Sequence, residues 1–292
     1  MMQIIQLVAV KNIAEKISPA WLPQLESLKN SFLKDARHLQ ISFLSSFLLS
    51  GIFFLHWDAD TTRFGITISA CLLTQFIFTS FTTKDFSSLK SALITSLSLC
   101  LLLKTGNYYT VICAATLAVA SKFIVRINNK HIFNPANFGI IAVMLLTNDA
   151  WISPGQWGSQ IVLLFGIGAA GMFILARVKR IDVCLAFLLT FSGLHFYRMV
   201  IYQGWELDVF FHHLTNGSLM LFSFFMITDP MTTPNAPKAR ICFGFFVGLL
   251  AFFLSTRLYV HSAPVWALFI LSPLSILFDK FFIHQKFKWI TT

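Results

Sequence analysis

The chain has 292 residues, 56% of them hydrophobic and 12% charged, with a mean hydropathy of +0.72. A soluble domain carries about twice that charge and a smaller apolar share, so an ordinary solvated globule is excluded and an integral membrane protein is expected. The net charge of +10 is distributed between apolar runs, which reads as membrane topology and not as a nucleic-acid surface.

Residues 1–38 precede the first long apolar run. Positions 1–10 hold no Lys or Arg, unlike the start of a signal peptide. Ile13, Ile17, Trp21, Leu25 and Leu28 recur at roughly helical spacing around Pro19 and Pro23. They predict a cytoplasmic or interfacial amphipathic segment anchored by Trp21.

A membrane crossing needs roughly 17–25 mostly apolar residues. The predicted spans are 39–57, 64–83, 88–103, 107–125, 133–148, 159–176, 181–203, 211–228, 241–256 and 264–279. Those at 88–103, 133–148 and 241–256 are short and read as deep-starting or broken helices. Residues 39–280 thus form one transmembrane domain of about ten helices, with 281–292 as a tail.

With the N-terminus inside, 18 Lys and Arg fall on the cytoplasmic side, and only Arg63, Lys104, Arg198 and Arg257 fall outside. This bias places both termini in the cytoplasm. Ten spans divide into five plus five near residue 153. An odd number per half makes the halves inverted, a plan common in transporters.

The five cysteines, Cys71, Cys100, Cys113, Cys184 and Cys242, form no C-x-x-C pair and lie in apolar runs. They read as buried, space-filling thiols, with no disulfide framework and no metal expected. His195 lies inside a span, and His212 and His213 begin the next. No two of them sit at evidently matching depths on facing helices, so haem ligation is not expected. The small residues Gly166, Gly168, Ala169, Ala170 and Gly171 predict tight helix packing. Asn216-Gly217 marks a break or a close helix contact.

Two polar, proline-bearing segments carry the most information. The first runs Lys130-His131-Ile132-Phe133-Asn134-Pro135-Ala136-Asn137-Phe138-Gly139, and the second Thr228-Asp229-Pro230-Met231-Thr232-Thr233-Pro234. Both fall at cytoplasmic helix ends. A structural reading makes Asn134 an N-cap with Pro135 at the first helical position, and Asp229 or Thr233 a second cap. A functional reading uses the free N–H groups and positive dipole end of such a helix start to hold an anionic or carbonyl-rich ligand. Irregular polar backbone at this depth is tolerated where protein or a water-filled cavity buries it.

At these residues the chain resembles the RnfD and NqrB membrane subunits of ion-pumping Rnf and Na⁺-translocating NADH:quinone reductase complexes. It resembles short RnfD-like proteins more closely than it does these subunits, through Asp35-Ala36-Arg37-His38-Leu39-Gln40, Pro154-Gly155-Gln156-Trp157-Gly158-Ser159 and Gly217-Ser218-Leu219-Met220-Leu221-Phe222. The resemblance covers about residues 35–280. It implies an all-α fold of two inverted five-helix repeats, like urea transporters, in the bacterial inner membrane.

The resemblance also implies flavin. In the family, FMN is attached to the Thr of a Ser-Gly-Ala-Thr-like sequence. This chain has Gly155-Gln156-Trp157-Gly158-Ser159 and no such Thr, so no covalent FMN is expected. A non-covalent riboflavin or FMN, or a quinone, remains implied, together with redox partner subunits and the lipid bilayer. The cofactor-binding residues so implied are Lys130, Asn134, Pro135, Asn137, Asp229, Thr232, Thr233 and Pro234, with none catalytic. Three functions stay open: a redox-complex membrane subunit that couples electron transfer to ion movement, a small-solute or flavin transporter, and a non-redox scaffold. A stand-alone enzyme is not expected.

Overall fold

The apolar runs fold as helices because a chain in lipid must satisfy its backbone polar groups internally. The computed structural model describes residues 35–53, 57, 60–82, 86–128, 130–152, 161–287 and 289. The expected N-terminal amphipathic segment with Trp21 lies almost wholly outside them, and so does Pro154–Ser159.

The first half contains α1 (Ala36–Phe53), α2 (Thr61–Phe81), α3 (Leu89–Leu102), α4 (Tyr108–Ile124) and α5 (Pro135–Leu146). The second half contains α6 (Ile161–Val178) and α7 (Ile181–Phe196), the latter prolonged by π-helical turns over Tyr197–Tyr202. Next come α8 (Leu207–Leu214), α9 (Gly217–Leu221) with π-helical turns over Phe222–Met226, α10 (Pro237–Arg257), α11 (Ala263–Leu271) and α12 (Leu274–Phe281). The protein is an all-α membrane protein. The helices 61–81, 181–202 and 237–257 are each long and apolar enough to cross a bilayer, and α11 with α12 forms a fourth such stretch, bent by 48°.

Two expected runs change, and a third breaks at Asn216-Gly217 as its residues suggest. The run 241–256 belongs to an unbroken 21-residue helix. The run 211–228 is broken at Asn216, whose side chain caps α9 by accepting from the Ser218 N–H. The last run is broken at Ser272-Pro273, since proline cannot donate to the turn before it.

Within the first half, α1 packs on α3, α2 on α3 and α4, and α4 on α5. Within the second, α6 packs on α9, α7 on the turns after α9 and on α10, and α10 on α11. The halves meet through α1 with α6 and α5 with α11. Outward faces remain apolar, with Leu73, Phe76, Leu189, Ile241 and Phe253 exposed, as lipid contact requires.

Close helix contact comes from particular glycines. A Cβ on Gly139 would lie 2.6 Å from the Ala114 carbonyl oxygen, and one on Gly244 the same distance from that of Val183. Among the glycines of the small-residue cluster in α6, Gly171 is close-packed against Phe224, whereas Gly166 and Gly168 face open space; Ala170 is buried. Among the cysteines, Cys71, Cys100 and Cys184 are buried, whereas Cys242 is exposed and fills no core space.

Two short antiparallel ribbons tie helix ends together. Residues Leu103–Thr105 (β1) pair with Ala150–Ile152 (β4). Arg126–Ile127 (β2) pair with Lys130–His131 (β3), and the turn places Asn128 at a φ of 52°. That second ribbon delivers Lys130 and His131 to the start of α5.

Candidate functional site

Asn134 is the N-cap of α5, with Pro135 following at the first turn. Its Oδ1 accepts the Asn137 N–H at 3.1 Å. The structural reading of this segment therefore holds, but the same side chain has a second role. Its amide Nδ2 donates to the Met226 carbonyl at 3.3 Å and to Asp229 Oδ2 at 3.2 Å. One asparagine thus caps a helix in the first half and grips the second signature in the other half.

Asn137 is fully buried. Its amide donates to the Val265 carbonyl at 2.9 Å, fastening α5 to α11, while its Oδ1 has no partner. Asp229 receives the Met231 N–H on Oδ1 at 3.0 Å. Burial pushes its carboxyl above the usual range, although the Met231 N–H and the cations Lys122, Arg180 and Lys130 pull against it. When protonated, such a carboxyl donates as well as accepts a hydrogen bond.

Thr232 and Thr233 turn inward. Both hydroxyls donate to the Asp229 carbonyl, at 3.3 and 3.0 Å, so they shape the loop. Pro234 is buried in the connection to α10. Lys130 donates to the Thr233 carbonyl at 2.6 Å and to Asp279 Oδ2 at 2.5 Å. Burial lowers the Lys130 pKa, and the Asp279 carboxylate opposes that shift.

Asp279, on α12, was not singled out from the sequence. It also accepts the Asn235 backbone N–H and side-chain amide, both at 2.8 Å. The Asn235 carbonyl accepts from Arg240 Nη1 at 2.6 Å, and Arg240 pairs with Asp182 at 2.6 Å. Arg180 stands beside this chain with its Nε unpartnered and its guanidinium 5.4 Å from the Phe287 ring centroid. Burial, with repulsion from Arg240, lowers its pKa to about 10. The sequence signal for this network was the rarity of acids, since 12 Asp and Glu serve the whole chain. Asp182 and Asp279 begin or end apolar runs where a membrane chain has little reason to keep a carboxylate.

The gathered residues border two cavities that share Pro230 and Met231. One is a narrow crevice of ≈ 60 Å³ between the halves, lined by Ser91, His131, Asn134, Pro135 and Asp229, with Thr95 and Ser98 deeper along α3. The other measures ≈ 570 Å³ and is lined by Lys130, Asn235, Asp279, Lys280, Lys286 and Phe287. Asn137, Thr232, Thr233 and Pro234 line neither. His131 presents a buried, unpartnered Nδ1. Burial, followed by the charges of Lys122 and Arg126, lowers its pKa to about 4.

The histidine expectation is corrected at the other end of the bundle. His195 and His213 lie with ring centroids 4.6 Å apart and ring planes tilted by 40°, where α8 packs on α7. Among the described residues no group of three His, Cys, Asp or Glu side chains is placed to hold a metal ion.

Residues 143–288, half of the chain, match the model of the NQR2, RnfD, RnfE family. The stretch includes the second signature, Asp182, Arg240 and Asp279. The chain is similar to the RnfD proteins of ion-translocating oxidoreductase complexes. Identity is 32% over 97 residues with that of Haemophilus ducreyi, covering 33% of this chain and 27% of the relative. It is 37% over 83 residues with that of Cronobacter sakazakii, covering 28% and 23%. The matched stretches thus span about a quarter of these relatives. On the strength of the family match and the paired signatures, the chain belongs to the NQR2, RnfD, RnfE family.

Proposed function

We propose that this protein is a membrane subunit of an ion-translocating oxidoreductase complex that binds a flavin or quinone non-covalently where its two signatures meet. One observation carries the reading: Asn134 and Lys130 of the first signature bond directly to Asp229 and Thr233 of the second, beside two adjoining cavities. The larger cavity lies within the range of cofactor sites, roughly 300–1,000 Å³. The crevice admits only the edge of a ring.

The donor set suits such a ligand. A bound flavin or quinone supplies an electron-accepting ring with carbonyl groups. The raised-pKa carboxyl of Asp229, held in place by the Asn134 amide, and the neutral His131 imidazole offer hydrogen bonds to it. Pro135 fixes the helix start that orients Asn134. Lys280 and Lys286 add positive charge at the wider cavity.

In this reading ten helices cross the bacterial inner membrane as two inverted repeats, with both termini and the joined signatures cytoplasmic. The matching order of helix contacts in the two halves supports the repeat. Electrons enter and leave through partner subunits.

The transporter reading keeps one specific observation in its favour. Ser91, Thr95 and Ser98 line the crevice along one face of α3, a polar track between the halves. The test is the absorption spectrum of the gently extracted protein, followed by fluorescence of the denatured gel band. The redox reading expects flavin absorbance that leaves the band on denaturation. Protein free of flavin and quinone sinks it, and flavin uptake by proteoliposomes above empty vesicles then favours the transporter.

A further inference from the structure

Lys122 lies in the last turn of α4 and is only 5% exposed. Its ammonium donates to the Ser91 hydroxyl at 3.3 Å. The ion pairs among the described residues are those of Arg37, Arg63, Lys90, Lys130 and Arg240, and none includes Lys122. A buried ammonium without a counter-ion is costly, and in a membrane protein such a group is expected to meet its charge in function.

Asp229 attracts Lys122 from a distance but makes no ion pair with it. Its oxygens accept from Met231 and Asn134 instead. Ser91, in contrast, lines the crevice beside His131, Asn134 and Asp229. Its oxygen receives the lysine proton, and its own hydroxyl hydrogen has no acceptor among the described residues. A hydroxyl polarised by an ammonium is a stronger donor than a free one.

We propose that Ser91, charged through Lys122, is the binding contact for a negatively charged ring edge, so that the crevice holds the reduced form of its ligand more tightly than the oxidised form. This rests on the redox reading above. Two electrons and one proton added to a neutral flavin ring leave it with one negative charge. The electrons come from a redox partner or a chemical reductant and the proton from water. No bond to the chain forms or breaks. Ser91 touches the ligand, and Lys122 is a positioning residue that acts through it.

The experiment is anaerobic equilibrium dialysis of riboflavin against the purified full chain in lipid nanodiscs, with and without dithionite. Wild type is expected to bind reduced riboflavin about tenfold more tightly than oxidised, the scale of one nearby charge at low dielectric. Lys122→Met and Ser91→Ala are both expected to bring that ratio close to one. Lys122→Arg, which keeps the charge, is expected to retain most of it. Ratios unchanged in Lys122→Met and Ser91→Ala overturn the role of the pair and leave the redox reading standing. Wild type that binds neither form overturns both. If Lys122→Met does not fold, Ser91→Ala against Lys122→Arg decides the matter in the same way.

Discussion

Asn134 Nδ2 and Asp229 Oδ2 lie 3.2 Å apart although 95 positions separate them in the chain. Each sits where a helix stops or starts, so each brings polar backbone with it. Their contact closes the space between the two halves and defines one wall of the crevice.

This double role makes two substitutions separable. Asn134→Ser keeps an oxygen that can cap α5 but removes the amide that reaches Asp229. It is expected to weaken flavin binding about tenfold with little change in thermal stability. Asn134→Ala removes the cap as well and costs roughly 1 kcal/mol more. Thermal unfolding beside a riboflavin titration reads both, and equal binding by Asn134→Ser and wild type rejects the contact as a ligand determinant.

Lys130 and Asp279 should not be equivalent. Asp279→Ala strands the Lys130 ammonium and two Asn235 donors at once, whereas Lys130→Met leaves Asp279 still bound by Asn235. The aspartate substitution is expected to be the more destabilising, and the double mutant to show coupling of about 1–3 kcal/mol. A denaturation cycle with additive effects would contradict the direct pairing.

His131 sets a pH dependence with a defined sign. Its pKa falls to about 4 in the folded chain from an ordinary 6.5. Between those values the unfolded chain binds the extra proton and the native state does not, so stability falls as pH drops through this window. His131→Gln is expected to flatten that part of a melting-temperature profile measured from pH 7 to 4. An unchanged slope would show that His131 is accessible to protonation in the native state.

Asp35 acts in the opposite direction from a carboxylate that burial alone would govern. Burial would raise its pKa, but the hydrogen bonds and charge of Arg37, with help from Lys90, hold it below the usual range. Its contribution is present above the unfolded carboxylate pKa and is lost as pH falls through the lowered folded value. Asp35→Asn is therefore expected to be less stable than wild type at neutral pH, with the gap closing in strong acid. A gap that persists under acid would assign the effect to packing.

Glycine substitutions test the helix interfaces. Gly139→Ala drives a methyl into the Ala114 carbonyl, and is expected to cost about 1–3 kcal/mol. Gly65→Ala, where nothing lies within 4 Å, is expected to be neutral or slightly stabilising because alanine favours helix. Equal melting temperatures for the two variants would refute the close approach of α4 and α5.

Most of the helical layout was legible in the sequence, because apolar length and Pro, Asn and Gly punctuation act locally. The N-cap at Asn134, the first-turn Pro135 and the break at Asn216-Gly217 all follow from residue chemistry that needs no distant partner. Composition likewise determined the membrane class, since a chain with so few charges cannot clothe itself in water. What only the tertiary structure decided is which polar groups meet. Asp279 beneath Lys130, Lys122 behind Ser91 and His195 against His213 each join side chains from separate helices, and hydropathy averages over the faces that choose those partners. The same packing divided the eight expected site residues. It turned Thr232 and Thr233 inward to their own loop, and it left Asn134, Pro135 and Asp229 on the crevice and Lys130 on the wider cavity.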